Sequence, residues 1–371
     1  MSALNGPVPM LALGAEYAEL EGEWFAALRE TGRRGSFVLG PQVAAFEREV
    51  ADYLGVPHAV GLANGTDALE LSLRALDVGP GDEVITTPFT FFATAEVISR
   101  VGARPIFVDI EADSFNLDLD QVADAIGPRT RAVLPVHLFG HPVDMEALTA
   151  LAGARGVAVV EDCAQAFGAR WGERPVGGFG DTGCFSFYPT KVLGGYGDGG
   201  LLVSRDADLV ARVRRLRNHG AEGPFLHAEV GCNSRLDEVQ AALLRLKLRR
   251  IEQALAGRAR VAAAYDAGLA GLPLTLPARP AGGRHAFNLY TLRSPHRERI
   301  RAALVQAGIG HAVCYPAPLH RQAVYAALGY GPGSLPVSER LAEEVISLPI
   351  YPELADAQVE RVCRVIRAAL A

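Results

Sequence analysis

The chain is almost without lysine. Of its 36 basic residues only Lys191 and Lys247 are lysine; the other 34 are arginine. Arginine carries surface charge equally well, but it keeps its proton at neutral pH and forms no imine. The two lysines therefore stand out as candidates for chemistry rather than for charge. Cysteine is also scarce. The five (Cys163, Cys184, Cys232, Cys314, Cys363) include no C-x-x-C pair, which excludes a zinc or disulfide framework and fits a reducing, cytoplasmic setting. No metal centre is expected. No basic region followed by an apolar stretch opens the sequence, so no signal peptide is read. No run approaches the roughly 18 apolar residues of a membrane span. With a net charge of -6 and no basic stretch interleaved with aromatics, nucleic-acid binding is excluded. Apolar residues, by contrast, make up 49% of the 371. A chain of this length and composition buries a large core and is expected to form two domains.

Short β-branched runs alternate with helical stretches. Candidate strands are His58–Leu62, Glu83–Thr87, Pro105–Ile110, Ala132–His137 and Val157–Glu161. Candidate helices cover 41–54, 66–76, 91–101, 118–126 and 144–154. Such alternation implies right-handed βαβ units and a mostly parallel sheet covered by helices on both faces. Gly183–Phe187 and Gly200–Ser204 read as neighbouring strands without a helical crossover. One long helical segment is expected from about Leu236 to about Leu269, and the proline-rich Leu272–Pro280 reads as a linker. The last 90 or so residues form a smaller α+β unit.

Gly178-Phe179-Gly180-Asp181-Thr182-Gly183 fits the dinucleotide pattern G-x-G-x-x-G. That pattern needs a helix after it, and here a strand-like segment follows, so nicotinamide binding is set aside. Four other constellations are more informative. Lys191 follows Ser186-Phe187-Tyr188-Pro189-Thr190 and precedes the glycine run Gly194–Gly200, a strand-end loop where a Schiff-base lysine is expected. Lys247 lies in Leu243–Arg250, one face of a helix, and reads as a solvated charge. Asn64-Gly65-Thr66 follows a strand and opens a helix, where free N–H groups suit either a phosphate or an ordinary cap. Glu161-Asp162 ends an apolar strand; Asp162 there can hold a heteroaromatic nitrogen protonated or serve a structural salt bridge. Thr87-Pro88-Phe89-Thr90-Phe91-Phe92 places aromatics at a strand-to-helix turn, to stack on a planar ring or to pack in the core. Together these features describe a phosphorylated aromatic heterocycle bearing an aldehyde, which is pyridoxal 5′-phosphate.

On NGTDAL, GDEVITTPFTFFAT, VEDCAQAFGA, FSFYPTKVLGGYGDGG, NSRLDEVQAA and CYPAPLH, the chain resembles the DegT/DnrJ/EryC1/StrS family of nucleotide-sugar aminotransferases from about Phe37 to Leu348. The resemblance implies an α/β fold-type I transferase. Its large cofactor-binding domain, with a mostly parallel seven-stranded sheet, would span 1–245. A smaller α+β domain would span 246–371, with the first 30 or so residues packing against it. By resemblance Lys191 forms the internal aldimine and shuttles the donor proton. Asp162 pairs with the pyridine nitrogen, Gln165 lies near the ring hydroxyl, and Phe91 stacks on the ring. Gly65, Thr66 and Ser186 bind the phosphate. Asn233 reaches the phosphate from the neighbouring subunit, which implies a homodimer with shared active sites. Arg235 and Tyr315 match positions near the sugar, and His320 is a further candidate contact. The implied reaction is ping-pong: L-glutamate leaves pyridoxamine phosphate, and a nucleotide-linked keto-sugar takes the amine. The motifs are similar to those of members acting on 3-keto sugars, of the UDP-2-acetamido-3-keto-glucuronate or dTDP-3-keto-6-deoxyhexose type. One departure is Cys314, where many relatives carry histidine.

Two other readings share the fold. A pyridoxamine-dependent sugar dehydratase would carry histidine in place of Lys191. A non-catalytic regulatory protein would have no need of Lys191, Asp162, Gln165 and Ser186 together. On the aminotransferase reading, by contrast, Lys191→Ala is expected to abolish turnover and Lys247→Ala to leave it nearly intact.

Overall fold

Five apolar runs, the first four each followed by a helix, build five of the seven strands of the sheet. The computed structural model describes residues 6–371. The strands are β1 (His58–Leu62), β2 (Glu83–Thr86), β3 (Arg104–Phe107), β4 (Thr130–Leu134) and β5 (Ala158–Asp162). The helices α3 (Gly65–Ala75), α4 (Ala93–Arg100), α5 (Leu119–Ala125) and α6 (Met145–Gly153) lie between them. They follow α1 (Leu13–Arg34) and α2 (Pro41–Leu54). Next come β6 (Thr182–Ser186) and β7 (Gly200–Ser204). The seven strands lie in the order β1-β7-β6-β5-β4-β2-β3. Neighbours from β6 through β3 pair in parallel, and β7 runs antiparallel to both β6 and β1. This is the mostly parallel seven-stranded α/β sheet expected. Pro105 is accommodated because β3 is an edge strand. The fourth strand stops earlier than its apolar run suggests, since Pro135 offers no N–H to the ladder.

The sheet aligns three chain turns at one edge. Leu62 of β1 pairs with Gly200 of β7, and Gly200 pairs with Ser186 of β6. The turn after β1 (Asn64–Gly65) and the loop after β6, which holds Lys191, therefore leave the sheet side by side. Gly200 has to be glycine: a Cβ there would lie 2.2 Å from the Asn64 carbonyl oxygen. Asp162 ends β5, next to β6.

Beyond β7, α7 (Ala207–Leu216) leads to α8 (Glu238–Leu248) and α9 (Ile251–Leu269). The single helix expected from Leu236 to Leu269 is thus two. Arg250 adopts φ -107°, ψ 6°, outside helical geometry. The physical reason is packing: α8 lies on α1 and α2, while α9 packs with the C-terminal helix (Asp356–Leu370), so the two axes diverge. A domain division between 245 and 246 would cut α8, which runs unbroken through both residues; the helical segment breaks at Arg249–Arg250. After α9, strands Tyr290–Arg293 and Val345–Leu348 pair antiparallel. They form a core with Val261, Tyr265, Leu304, Val362 and Ile366. Val8 joins that core, and its N–H bonds to the Gly308 carbonyl at 3.0 Å. No described helix is long and apolar enough to cross a membrane.

Candidate active site

The carboxyl ends of parallel strands are where groups from separate segments converge, because each strand there hands over to a loop or helix N-terminus. Here a cavity of about 710 Å³ opens at that edge, lined among others by Gly65, Thr66, Phe91, Asp162, Gln165 and Lys191. Ser186, Tyr315, Thr90 and Asp198 also face it.

The loop after β6 is closed on itself. The Phe187 N–H bonds to Gly199 O at 2.8 Å, Gly195 N–H to Phe187 O at 2.7 Å, and Lys191 N–H to Tyr188 O at 2.9 Å. Lys191 itself has no hydrogen-bond or ion-pair partner for its ammonium among the described residues. Desolvation lowers its pKa, and the nearby Asp162 carboxylate and Cys314 thiol oppose that shift. Burial favours the neutral amine, the form a base or nucleophile must take.

Asp162 is 5% exposed. Its Oδ1 accepts the Ala164 N–H at 3.1 Å and its Oδ2 accepts the Thr94 hydroxyl at 2.9 Å. Thr94 in turn lies 3.1 Å from Thr90 Oγ1. Burial raises the Asp162 pKa, against the pull of those two donors and of Lys191. A buried carboxylate with no cation bonded to it is costly unless a positively charged ligand completes it. Directly beneath, Glu161 is wholly buried and saturated. It accepts the N–H groups of Gly177 (2.7 Å), Phe179 (2.8 Å) and Gly180 (2.8 Å), and stands 3.1 Å from His137 Nε2. The His137 Nδ1 accepts the Val143 N–H. Glu161, His137 and Cys163 lie within metal-ligating reach of one another, but the first two are already engaged. The G-x-G-x-x-G stretch thus donates amides to a carboxylate under Asp162 and runs into β6, with no helix after it.

At the opposite wall Asn64 caps α3, accepting the Asp67 N–H at 2.8 Å. The first N–H groups of a helix have no intrahelical acceptor and carry partial positive charge. Gly65 allows close approach to Ser186, since a Cβ on it would come within 2.8 Å of the serine Cβ. Phe91, 61% exposed, stands at the mouth just before α4. Gln165 is clamped: its Oε1 accepts the Phe139 N–H at 2.8 Å and its Nε2 donates to Tyr315 Oη at 2.9 Å. Burial pushes the Tyr315 hydroxyl and Cys314 thiol upward in pKa.

Three sequence candidates lie elsewhere. Asn233 is exposed on the segment before α8, and Arg235 donates to Asn218 Oδ1 at 3.0 Å; neither lines this cavity. His320 is 1% exposed, with Nε2 3.0 Å from Glu339, packed against Tyr330. A ring so enclosed reaches no ligand in this cavity. The reading of Lys247 as a solvated charge is corrected: it is 7% exposed, bonded to Glu16 and to the Gly194 carbonyl. Thr90 and Thr94 join the site beyond the sequence candidates; with Thr87 they are the only hydroxyls in an otherwise apolar and aromatic turn, which is the signal that marks them.

A model described as the DegT/DnrJ/EryC1/StrS aminotransferase family matches residues 18–367. The chain is 46% identical over 366 residues, 99% of both chains, to a UDP-N-acetyl-3-dehydro-alpha-D-glucosamine 3-aminotransferase of Acidithiobacillus ferrooxidans. It is 45% identical, over 97% of this chain and 95% of the relative, to a dTDP-3-amino-3,4,6-trideoxy-alpha-D-glucose transaminase of Streptomyces venezuelae. Among solved structures, S. venezuelae DesV in complex with a ketimine intermediate superposes with a TM-score of 0.95, at 44% identity and 98% coverage of each chain.

Proposed function

We infer the reaction from one premise: the chain belongs to the DegT/DnrJ/EryC1/StrS aminotransferase family. It is an aminotransferase, and enzymes of this family and fold use pyridoxal 5′-phosphate. The residues here fit that cofactor. A lysine amine with no hydrogen-bond or ion-pair partner among the described residues, a buried carboxylate with no cation bonded to it there, and a helix N-terminus open on the same cavity. When bound, the cofactor supplies an electron-withdrawing ring that stabilises negative charge at the α-carbon of the amino donor.

The chain's own groups divide the rest. Lys191 would hold the cofactor and, as a neutral amine, would take the proton from the donor Cα. Asp162, oriented by Thr94 and the Ala164 N–H, keeps the ring nitrogen protonated. Gly65, Thr66 and Ser186 bind the phosphate, Phe91 stacks on the ring, and Gln165 orients the ring hydroxyl. Tyr315, tied to Gln165, borders the space for the second substrate. That substrate is a nucleotide-linked 3-keto sugar and the donor is L-glutamate. The two relatives named above support amination at C3. His320 has no part in this assignment.

The observation that carries the reading is the convergence of Lys191 and buried Asp162 on one cavity. It is tested by the visible spectrum of the holoenzyme. L-glutamate is expected to replace the lysine-bound cofactor band with that of pyridoxamine phosphate. A UDP- or dTDP-linked 3-keto sugar is then expected to restore it. A protein that takes up no cofactor, or whose band returns only with 4-keto sugars, overturns the corresponding part.

We further read the enzyme as a cytoplasmic homodimer; five unpaired cysteines fit the compartment. Asn233 stands outside its own chain's cavity, as a residue serving a partner's phosphate would. Nearby Phe225, Leu226 and Val230 leave apolar surface exposed for a second copy. Asn233→Ala is expected to weaken cofactor retention about 10-fold, the worth of one hydrogen bond. In a mixture of Lys191→Ala and Asn233→Ala chains, each mixed dimer has one complete site. Activity at limiting cofactor should then exceed the average of the two variants assayed separately; strict averaging counts against shared sites.

A further inference from the structure

The second of the two lysines stands behind the loop that carries the first. Lys247 Nζ donates to the Gly194 carbonyl at 2.5 Å and to Glu16 Oε2 at 2.7 Å. Gly194 is not a passive neighbour. A Cβ on it would lie 2.5 Å from Pro189 O and 3.0 Å from Tyr188 O, so its backbone abuts the turn in which Tyr188 O accepts the Lys191 N–H. Displacing Gly194 therefore displaces the turn that aims Lys191. Two α8 turns before Lys247, Gln240 Oε1 accepts the Tyr196 N–H at 3.0 Å. Residues seven apart on a helix share a face, so α8 holds the loop at both 194 and 196. From the other side α1 closes over the same point: Glu16 pairs with Lys247, and Tyr17 and Trp24 pack on Tyr196. The Lys247 ammonium also sits 5.1 Å above the Tyr196 ring.

We propose that Lys247 is a positioning residue for Lys191: its ammonium pins the Gly194 carbonyl to Glu16 of α1 and so fixes the Tyr188–Gly194 turn from behind. A point donor on a flexible stem satisfies a carbonyl and a carboxylate at once in a narrow space. The planar guanidinium of arginine is bulkier and bonds in a fixed fork. This accounts for lysine at this position in a chain that otherwise uses arginine, and it reverses the expectation that Lys247 is dispensable. The proposal rests on the role given to Lys191 above.

The test uses Lys247→Met, which keeps the stem and removes the donor, in the holoenzyme. Amide hydrogen exchange is followed across residues 187–197, together with the rate of the L-glutamate half-reaction. Exchange at the Lys191 and Gly195 amides is expected to rise about 10-fold relative to strands β5 and β6. The half-reaction is expected to slow by about 10- to 100-fold with the donor KM within about 3-fold, the pattern of a reacting group misplaced by a fraction of an ångström. Lys247→Arg should recover only part of the rate. A Lys247→Met enzyme whose loop exchange and half-reaction match the parent, with only its melting temperature lowered, overturns the proposal. Should that variant not fold, Glu16→Gln removes the charge anchoring Lys247 and is expected to raise loop exchange about 3-fold; unchanged exchange there overturns it equally. Loop exchange does not depend on what Lys191 does, so failure of the Lys191 assignment shows separately, as a holoenzyme whose spectrum ignores L-glutamate.

Discussion

Lys191→Ala is expected to lower turnover by at least about 1,000-fold while the protein keeps its fold. General-base transfer by a positioned side chain contributes roughly 100- to 10,000-fold, and Lys191 is also the residue assigned to hold the cofactor. Nothing in the fold depends on its ammonium, which has no hydrogen-bond partner among the described residues and is disfavoured by desolvation, so the apo variant should melt no lower than the apo parent. Lys191→Arg is the sharper variant. It retains the positive charge but cannot give up its proton near neutral pH, so it is expected to fall as far as alanine. If charge alone mattered, arginine would rescue. The pH dependence follows from desolvation, which lowers the Lys191 pKa below its ordinary 10.5. Proton removal requires the neutral amine, so single-turnover rates with L-glutamate should rise with pH and level off once pH passes that lowered pKa. Stopped-flow measurement of the half-reaction checks all three; a variant at parental rate, or a rate that falls as pH rises toward neutrality, overturns the assignment.

What the sequence made legible was the part written in short local patterns. The strands His58–Leu62 and Gly200–Ser204 match their apolar runs end to end. Once strands alternate with helices, functional groups are expected at the carboxyl ends, so Lys191, Asp162 and Gly65-Thr66 stand out from the sequence alone. What stayed hidden is non-local. No glycine or proline marks the break between α8 and α9; it comes from helices packing on different partners. Lys247 looked solvated because its partners, Glu16 and Gly194, are 231 and 53 residues away. His320 looked like a ligand-facing residue because its burial depends on Glu339 and Tyr330, which come later in the chain. Thr94, flanked by Ala93 and Ala95 just past the phenylalanines, carries no local sign that its hydroxyl meets Asp162.

Asp162 is where activity and stability should part in opposite directions. Two unit charges about 4 Å apart interact by roughly 4 kcal/mol at an effective dielectric of about 20, equal to about three pKa units. Asp162→Asn removes that interaction with a protonated ring nitrogen, so the half-reaction with L-glutamate should slow by about 100- to 1,000-fold and cofactor affinity should fall. In the apoprotein the same carboxylate has no cation bonded to it, and burial raises its pKa above the ordinary 3.8. A carboxyl whose folded pKa is raised takes up protons on folding, so its ionisation costs stability as pH climbs from the unfolded value past the folded one. At pH 7 that cost is present in the apo parent and absent from Asp162→Asn. The apo variant should therefore melt higher than the apo parent, while the parent gains more from added cofactor. Thermal melts of both proteins with and without cofactor, at pH 7 and again at pH 4.5 where the apo difference should shrink, decide the matter. An apo variant that melts below the parent would make Asp162 chiefly a structural acceptor for Thr94 and the Ala164 N–H. A variant with undiminished activity would mean that the ring nitrogen is served by another group.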